Sequence, residues 1–180
     1  MSDAPHWLDD DEAEAWLSLV SILEVLPAAL DSQLTRDADL TLFEFLVLSQ
    51  LAEVDDSVRL SDLASATHTT LPRLSRVVAR LEKDGLLVRE VSADDGRSRR
   101  VSLSDAGWQR LADAAPGHVT LVRELFVSRL TREQLGQMRR IGGRVLAGLD
   151  PAGQVLAATR ESTRGRQGLS RLPTPSQRDD

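Results

Sequence analysis

Apolar residues recur at helical spacing over most of this chain, and the clearest stripe lies near its middle. Leu71, Leu74, Val78 and Leu81 fall at i, i+3, i+7 and i+10, with Val77 at the edge. Arg73, Arg76, Arg80 and Lys83 repeat at the same spacing on the other side. At about 100° per residue, Arg76 and Lys83 point nearly away from the centre of the stripe. The pattern predicts a helix from about Thr70 to Asp84, with Thr70 as N-cap, Pro72 in the first turn and Gly85 as the stop.

The flanks of that helix sharpen the picture. Leu60-Ser-Asp-Leu-Ala-Ser-Ala66 predicts a short helix, followed by a turn at His68-Thr69. Ser61 is read as its N-cap, with donation to a phosphate as a second role. After Gly85 the pattern changes to two extended runs, Leu86 to Val91 and Arg99 to Leu103. Between them lies a polar tip, Ser92-Ala-Asp-Asp-Gly-Arg97, in which Asp95-Gly96 is a strong turn signal. Helix, turn, helix and hairpin together predict a winged helix-turn-helix, whose second helix is the candidate reader of a DNA major groove. A helix face with four cations is, taken alone, equally a solvated face. The hairpin tips the balance, because Arg97, Arg99 and Arg100 cluster on and just after its tip. An Arg there reaches a narrow minor groove, where the potential is most negative. Asp95 either braces Arg97 or belongs only to the turn.

The rest of the chain reads as helices. Asp9, Asp10 and Asp11 open one that continues through Trp16, Leu19, Val20, Leu23, Leu26 and Leu30, with Pro27 expected to kink or divide it. Asp37 to Asp39 form a polar joint, and Thr41 caps a helix through Phe43, Leu46, Val47 and Leu51. Trp16 and Phe43 are read as core or interface residues, with a ligand-lining role as the lesser reading. Ser104 caps a long helix in which Pro116-Gly117 marks a break or bend. Thr131 begins another, striped by Leu135, Met138, Ile141, Val145 and Leu149. Gly142-Gly143 either admits a partner helix or merely weakens this one. Asp150-Pro151 ends it, and residues 152–159 are expected to add a short helical piece. From Arg160 to Asp180 the composition turns to Arg, Ser, Thr, Gly and Pro, which predicts a disordered basic tail, solvated rather than bound to DNA.

Charge at first opposes a nucleic-acid partner, since the 180 residues carry a net −6. The distribution reverses that reading. Residues 1–57 hold one Arg and fourteen acids, a balance of −13, whereas residues 58–110 hold ten Arg or Lys and seven acids, a balance of +3. The local field governs encounter with phosphate, and the acidic end faces away from it. With no cysteine there is no disulfide framework and no thiol nucleophile or sensor, which with the lack of a secretory segment predicts a cytoplasmic protein. No apolar run near the length of a membrane span is expected.

Enzyme chemistry finds no foothold. His6, His68 and His118 are scattered over different elements, and there is no Gly-rich phosphate loop, HExxH or GxSxG. No catalytic residue, metal ligand or cofactor is expected. The rival reading is a winged-helix module that binds protein rather than DNA, to be separated by salt-sensitive retention on heparin or random duplex.

Leu60-Ser-Asp-Leu-Ala, Leu74-Ser-Arg-Val-Val-Ala-Arg-Leu-Glu82, Asp84-Gly-Leu-Leu87, Asp95-Gly-Arg97 and Val101-Ser-Leu-Ser-Asp-Ala-Gly107, in this order and spacing, resemble the MarR family (multiple-antibiotic-resistance regulators). The resemblance extends more loosely over Trp7 to Leu149. It implies a mainly α fold with a small β-hairpin wing, a winged helix-turn-helix flanked by N- and C-terminal dimerisation helices. It implies one domain over residues 1–159, with a DNA-binding lobe at about 55–107 and dimerisation helices at about 9–36 and 104–159. It further implies a homodimeric transcriptional regulator of double-stranded DNA, usually a repressor relieved by a small-molecule effector, with no membrane partner. Thr70, Pro72, Arg73, Ser75 and Arg76 fall where the family's recognition helix faces DNA, and Arg97 on its wing-tip Arg. Arg80, Arg99 and Ser61 complete the candidate DNA contacts. Leu71 and Pro72 depart from the small polar residues often found at those positions.

Overall fold

The computed structural model describes residues 6–54, 57–91 and 99–150. The chain runs α1 (Asp10–Ala38), α2 (Leu42–Ala52), β1 (Val58–Arg59), α3 (Leu60–Ala66), α4 (Leu71–Lys83), β2 (Leu87–Val91), β3 (Arg99–Leu103), α5 (Asp105–Leu125), a 3₁₀ turn (Val127–Arg129) and α6 (Arg132–Leu149). This is the expected winged helix-turn-helix between terminal helices. The expected tip at Ser92–Arg97, the short piece at 152–159 and the tail at 160–180 lie outside the described residues.

Helix starts follow local chemistry. Asp9, Thr41 and Thr131 each close a capping box with Glu12, Glu44 and Gln134, satisfying two backbone donors at each N-terminus. Ser104 Oγ accepts from Gly107 N at 3.0 Å and donates to the Gly85 carbonyl at 2.6 Å, so one hydroxyl caps α5 and pins the start of the hairpin. At Gly107 an added Cβ would lie 2.1 Å from the Leu86 carbonyl oxygen, so only glycine lets α5 approach this closely.

Two helix ends use the same device. At the end of α4, Gly85 (φ 74°) donates to Glu82 O and Leu86 donates to Leu81 O. At the end of α3, His68 (φ 49°) donates to Ser65 O and Thr69 to Ala64 O. Both are Schellman closures, and in the second a histidine takes the left-handed position that glycine fills in the first. The turn between α3 and α4 is therefore set by backbone bonds that orient the second helix against the first.

The sheet has strand order β1-β3-β2, all antiparallel, with Leu87 opposite Leu103, Val91 opposite Arg99 and Val58 opposite Val101. β1 was not expected, since two residues are too short to show a period of two. The core joins Leu34 and Leu40 to Phe45, Val47, Leu48 and Leu51 of α2, Leu63 of α3, Leu74, Val78 and Leu81 of α4, Leu86 and Leu87 at the hairpin, Val101 and Leu111.

Several expectations need correction. Ser61 does not cap α3; Arg59 occupies the N-cap, without a side-chain bond, because β1 runs directly into the helix and Ser61 is already inside it. Thr70 is at the N-cap of α4, but its hydroxyl makes no capping bond. Leu71 is not in the buried stripe: it is 48% exposed, at the first residue of α4. Pro27 does not divide α1, which is one helix of 29 residues. The carbonyl it orphans belongs to exposed Leu23, where water can satisfy it. α5 likewise continues through Pro116-Gly117, both exposed. An 18-residue stretch of α1 does reach a mean hydropathy of 1.6, long and apolar enough to span a bilayer by length and composition. Glu24 and Pro27 interrupt it only locally, and the acids crowd into its first turns.

Candidate nucleic-acid interface

The outward surface of the lobe is built by α4 and the start of β3. Leu74, Val78 and Leu81 hold α4 on the core, leaving Pro72, Arg76 and Lys83 exposed on the far side. Thr70 opens the helix and is exposed, and Ser75 is half-buried on the flank. Arg99, paired with Val91, is exposed where β3 begins. Arg97 lies outside the described residues. Ser61 is exposed on α3, its hydroxyl donating to Asp62 Oδ1 at 3.1 Å.

The four cations of α4 do not share one environment. The Arg73 guanidinium lies over the Phe43 ring, 4.9 Å from its centroid, turned back toward α2. Arg80 Nη1 is 3.3 Å from Glu44 Oε1, and its Nε is 3.7 Å from Asp84 Oδ2. Arg76 and Lys83 are the two that point outward, as the helical wheel predicts. The wing cluster divides in the same way. Arg100 turns inward, its Nε donating to Ser57 Oγ at 2.8 Å and its Nη2 to the Ser57 carbonyl, so it ties β3 to the residue before β1. Arg89 was not singled out from sequence. It is largely buried, with its Nε 3.2 Å from Glu82 Oε2, an ion pair without hydrogen-bond alignment that fastens α4 to β2.

Between α4 and the α1–α2 corner opens a cleft of about 460 Å³. Phe43 and Val77 form its apolar part, Arg73, Arg76 and Arg80 its cationic wall, and Asp31, Thr41 and Glu44 the side toward α1. Asp31 Oδ1 accepts from Leu42 N at 2.7 Å, so that carboxylate already closes the α1–α2 corner. Phe43 is thus half-buried in a cleft, whereas Trp16 is 56% exposed and lines neither core nor cleft. A second cleft of about 460 Å³ is almost wholly apolar; Ile22, Val25 and Leu26 of α1 face Leu125, Phe126 and Leu130 across it.

Where α5 leaves the lobe, the His118 ring packs on Phe45 with centroids 4.5 Å apart. Burial pushes its pKa below the usual histidine value. Among the described residues no group of three or more His, Cys, Asp or Glu is placed to hold a metal.

The same arrangement is found in proteins of known structure. Residues 38–98 match the model of the MarR family. Sco3205, a MarR family transcriptional regulator from Streptomyces coelicolor crystallised in complex with DNA, is 38% identical, with a TM-score of 0.80 over 83% of this chain and 94% of that one. The chain belongs to the MarR family of transcriptional regulators. AbsC, another MarR family regulator from Streptomyces coelicolor, is 30% identical, with a TM-score of 0.72 over 85% of this chain and 99% of that one. An uncharacterized HTH-type transcriptional regulator of Bacillus cereus is 28% identical over 119 residues, which is 66% of this chain and 78% of the relative. The family match covers α2 through β2, and so the whole of α4, and stops just before β3.

Proposed function

We propose that this MarR-family regulator binds a pseudo-palindromic operator in double-stranded DNA as a cytoplasmic homodimer, acting as a repressor that a small effector releases. The observation that carries the reading is the outward face of α4. Arg76 and Lys83 stand exposed on a helix whose opposite face is locked into the core, and Arg99 of the wing is exposed as well. A helix so placed enters a major groove with its N-terminal half, where Thr70, Pro72, Ser75 and Arg76 meet bases and phosphates. Arg97 takes the minor groove by its place in the family pattern.

The second subunit is required by the terminal helices. Trp16, Leu17, Leu23 and Val25 of α1 and Ile141, Val145 and Leu149 of α6 are exposed on one chain. Apolar surface on this scale calls for a partner, and a second copy covers both helices at once. The same cover accounts for the apolar stretch of α1 without a bilayer. The effector site is the cleft beside Phe43. Its cationic wall includes Arg76, so an occupant there competes for a side chain that meets DNA, and effector and operator oppose each other reciprocally.

Footprinting on fragments selected from genomic DNA, followed by a salt titration, tests this. The expected result is protection of two half-sites about one helical turn apart, with affinity falling as salt rises at a slope of about −0.9 per neutralised phosphate. Arg76→Ala should cost about 1–3 kcal/mol on the operator and relax discrimination at one base pair per half-site. Salt-independent binding, or a single protected half-site, would overturn the proposal.

A further inference from the structure

We infer that Arg80 is a positioning residue that sets the seat of α4 on α2 through Glu44, and that it gives no contact to DNA. The inference rests on the DNA-binding reading above and assigns Arg80 a different part within it.

Glu44 is almost completely buried, at 3% exposure, and is the third residue of α2. One of its oxygens serves the helix start: Oε2 accepts from Thr41 N and Thr41 Oγ1, both at 2.8 Å. The other, Oε1, faces Arg80 Nη1 at 3.3 Å. A charge this deeply buried is costly unless a cation and hydrogen bonds surround it. Swinging Arg80 out to a phosphate would remove the cation and strand the charge. Asp84, 3.7 Å from Arg80 Nε, holds the guanidinium from the other side. Set between two carboxylates, it has little free charge to offer a polyanion.

Position on the helix agrees. Taking Leu74 as the centre of the buried stripe, Arg80 stands about 120° round the wheel toward α2, whereas Arg76 and Lys83 stand about 160–180° round, facing out. The opposite flank of α4 has its own tie, Glu82 to Arg89 of β2. The helix is therefore braced from α2 on one side and from the sheet on the other, and its roll about its own axis is fixed by the two ion pairs. Roll decides which base edges Arg76 meets. α2 is itself fixed to α1 by Asp31 on Leu42 N, so the brace connects the reading helix to α1 through two contacts in succession.

The test uses the full chain and an operator duplex, with Arg80→Gln, Glu44→Gln, Arg80→Lys, the Arg80→Gln/Glu44→Gln double variant and Arg76→Ala. Glutamine at position 44 can still accept from Thr41 N, so the capping box is kept while the ion pair is removed. Affinity is measured as a function of salt and over a panel of single-base operator variants, with circular dichroism melts as the folding control. A positioning role predicts about tenfold weaker binding for either single Gln variant and no further loss in the double variant. It also predicts flattened base discrimination, partial recovery with Arg80→Lys and an unchanged salt slope. A phosphate contact predicts the opposite pattern: Arg80→Gln shallower in salt by about one phosphate, with Glu44→Gln binding as well as the parent or better. That result overturns the inference, as does parental affinity and discrimination in folded Arg80→Gln. Should Glu44→Gln fail to fold, Arg80→Gln and Arg80→Lys, on a half-exposed side chain, still separate the two roles by salt slope. If the parent binds no duplex and Arg76→Ala changes nothing, the DNA reading itself fails and the inference falls with it. If Arg76→Ala loses affinity while Arg80→Gln does not, only the inference falls.

Discussion

α4 and α6 carry the same kind of apolar stripe and meet opposite fates. In α4, Leu74, Val78 and Leu81 are buried against α2, α3 and the hairpin. In α6, five residues longer, none of the apolar stripe is buried, and Met138, Ile141, Val145 and Leu149 stay exposed. Helical periodicity identifies which face of a helix is apolar; it does not say whether the cover comes from the same chain. The lobe from α2 through the first half of α5 closes a core on itself. Among the described residues, the buried positions of α1 are Gln33 and Leu34, at its junction with the lobe, and α6 has none. One region closes its apolar faces within the chain, and the other leaves them uncovered on it.

The largest expected effect tests the closed region. Leu74→Ala empties a fully buried site in the middle of α4 and should cost about 2–5 kcal/mol, measured by urea unfolding. Ile141→Ala, on exposed surface of α6, should leave the unfolding of the lobe nearly unchanged once dissociation is allowed for. Equal costs at all protein concentrations would break the comparison, because α6 would then be packed within its own chain.

Next in size is the effect on assembly. Ile141→Glu with Val145→Glu places two charges on the stripe of α6. The pair should convert the homodimer to monomer in sedimentation at micromolar concentration, with the helical signal of the lobe retained. Operator affinity should fall with it, since one half-site contact remains in place of two. A parent that sediments as a monomer would remove the interface from the comparison altogether.

The two regions were not equally legible in the sequence. The lobe could be read because its elements are short and each has its own punctuation: Thr41, Pro72, Gly85 and Ser104 mark ends that the structure keeps. What escaped was contact between elements. Arg80 reads as a DNA contact, and Arg100 as a member of the wing's Arg cluster, because spacing shows a side chain's direction on its own helix or strand. It does not show the carboxylate of Glu44 or the carbonyl of Ser57 waiting on another element. β1 escaped because two residues have no period, and Ser61 was misplaced by the same two residues. Pro27 and Pro116 suggested breaks that do not occur: both prolines are exposed, and the carbonyl that Pro27 frees belongs to exposed Leu23. Phe43 reads as ligand-lining only in second place, because its cleft exists only once α4 is seated beside the α1–α2 corner.

The smallest effect marks the boundary between the regions. His118 stands where α5 passes from the lobe, in which Leu111, Ala112, Ala114 and Ala115 are buried, toward the exposed half of the helix. Its ring rests on Phe45 of the lobe, and burial lowers its pKa below 6.5. In the unfolded chain the imidazole titrates near its usual ~6.5. Between that value and the lowered one the unfolded state binds more protons, so stability falls as pH falls through this window and levels off below the folded pKa. Urea midpoints measured between pH 7.5 and 5 should therefore decline in the parent and decline less steeply in His118→Gln. The comparison is between slopes, because losing the ring contact with Phe45 also lowers the level at every pH. Carboxylates contribute to both proteins alike and cancel in the difference. Identical slopes would mean that the protonated ring finds water without leaving Phe45, and the sealed edge of the lobe would then end before His118, one turn earlier on α5.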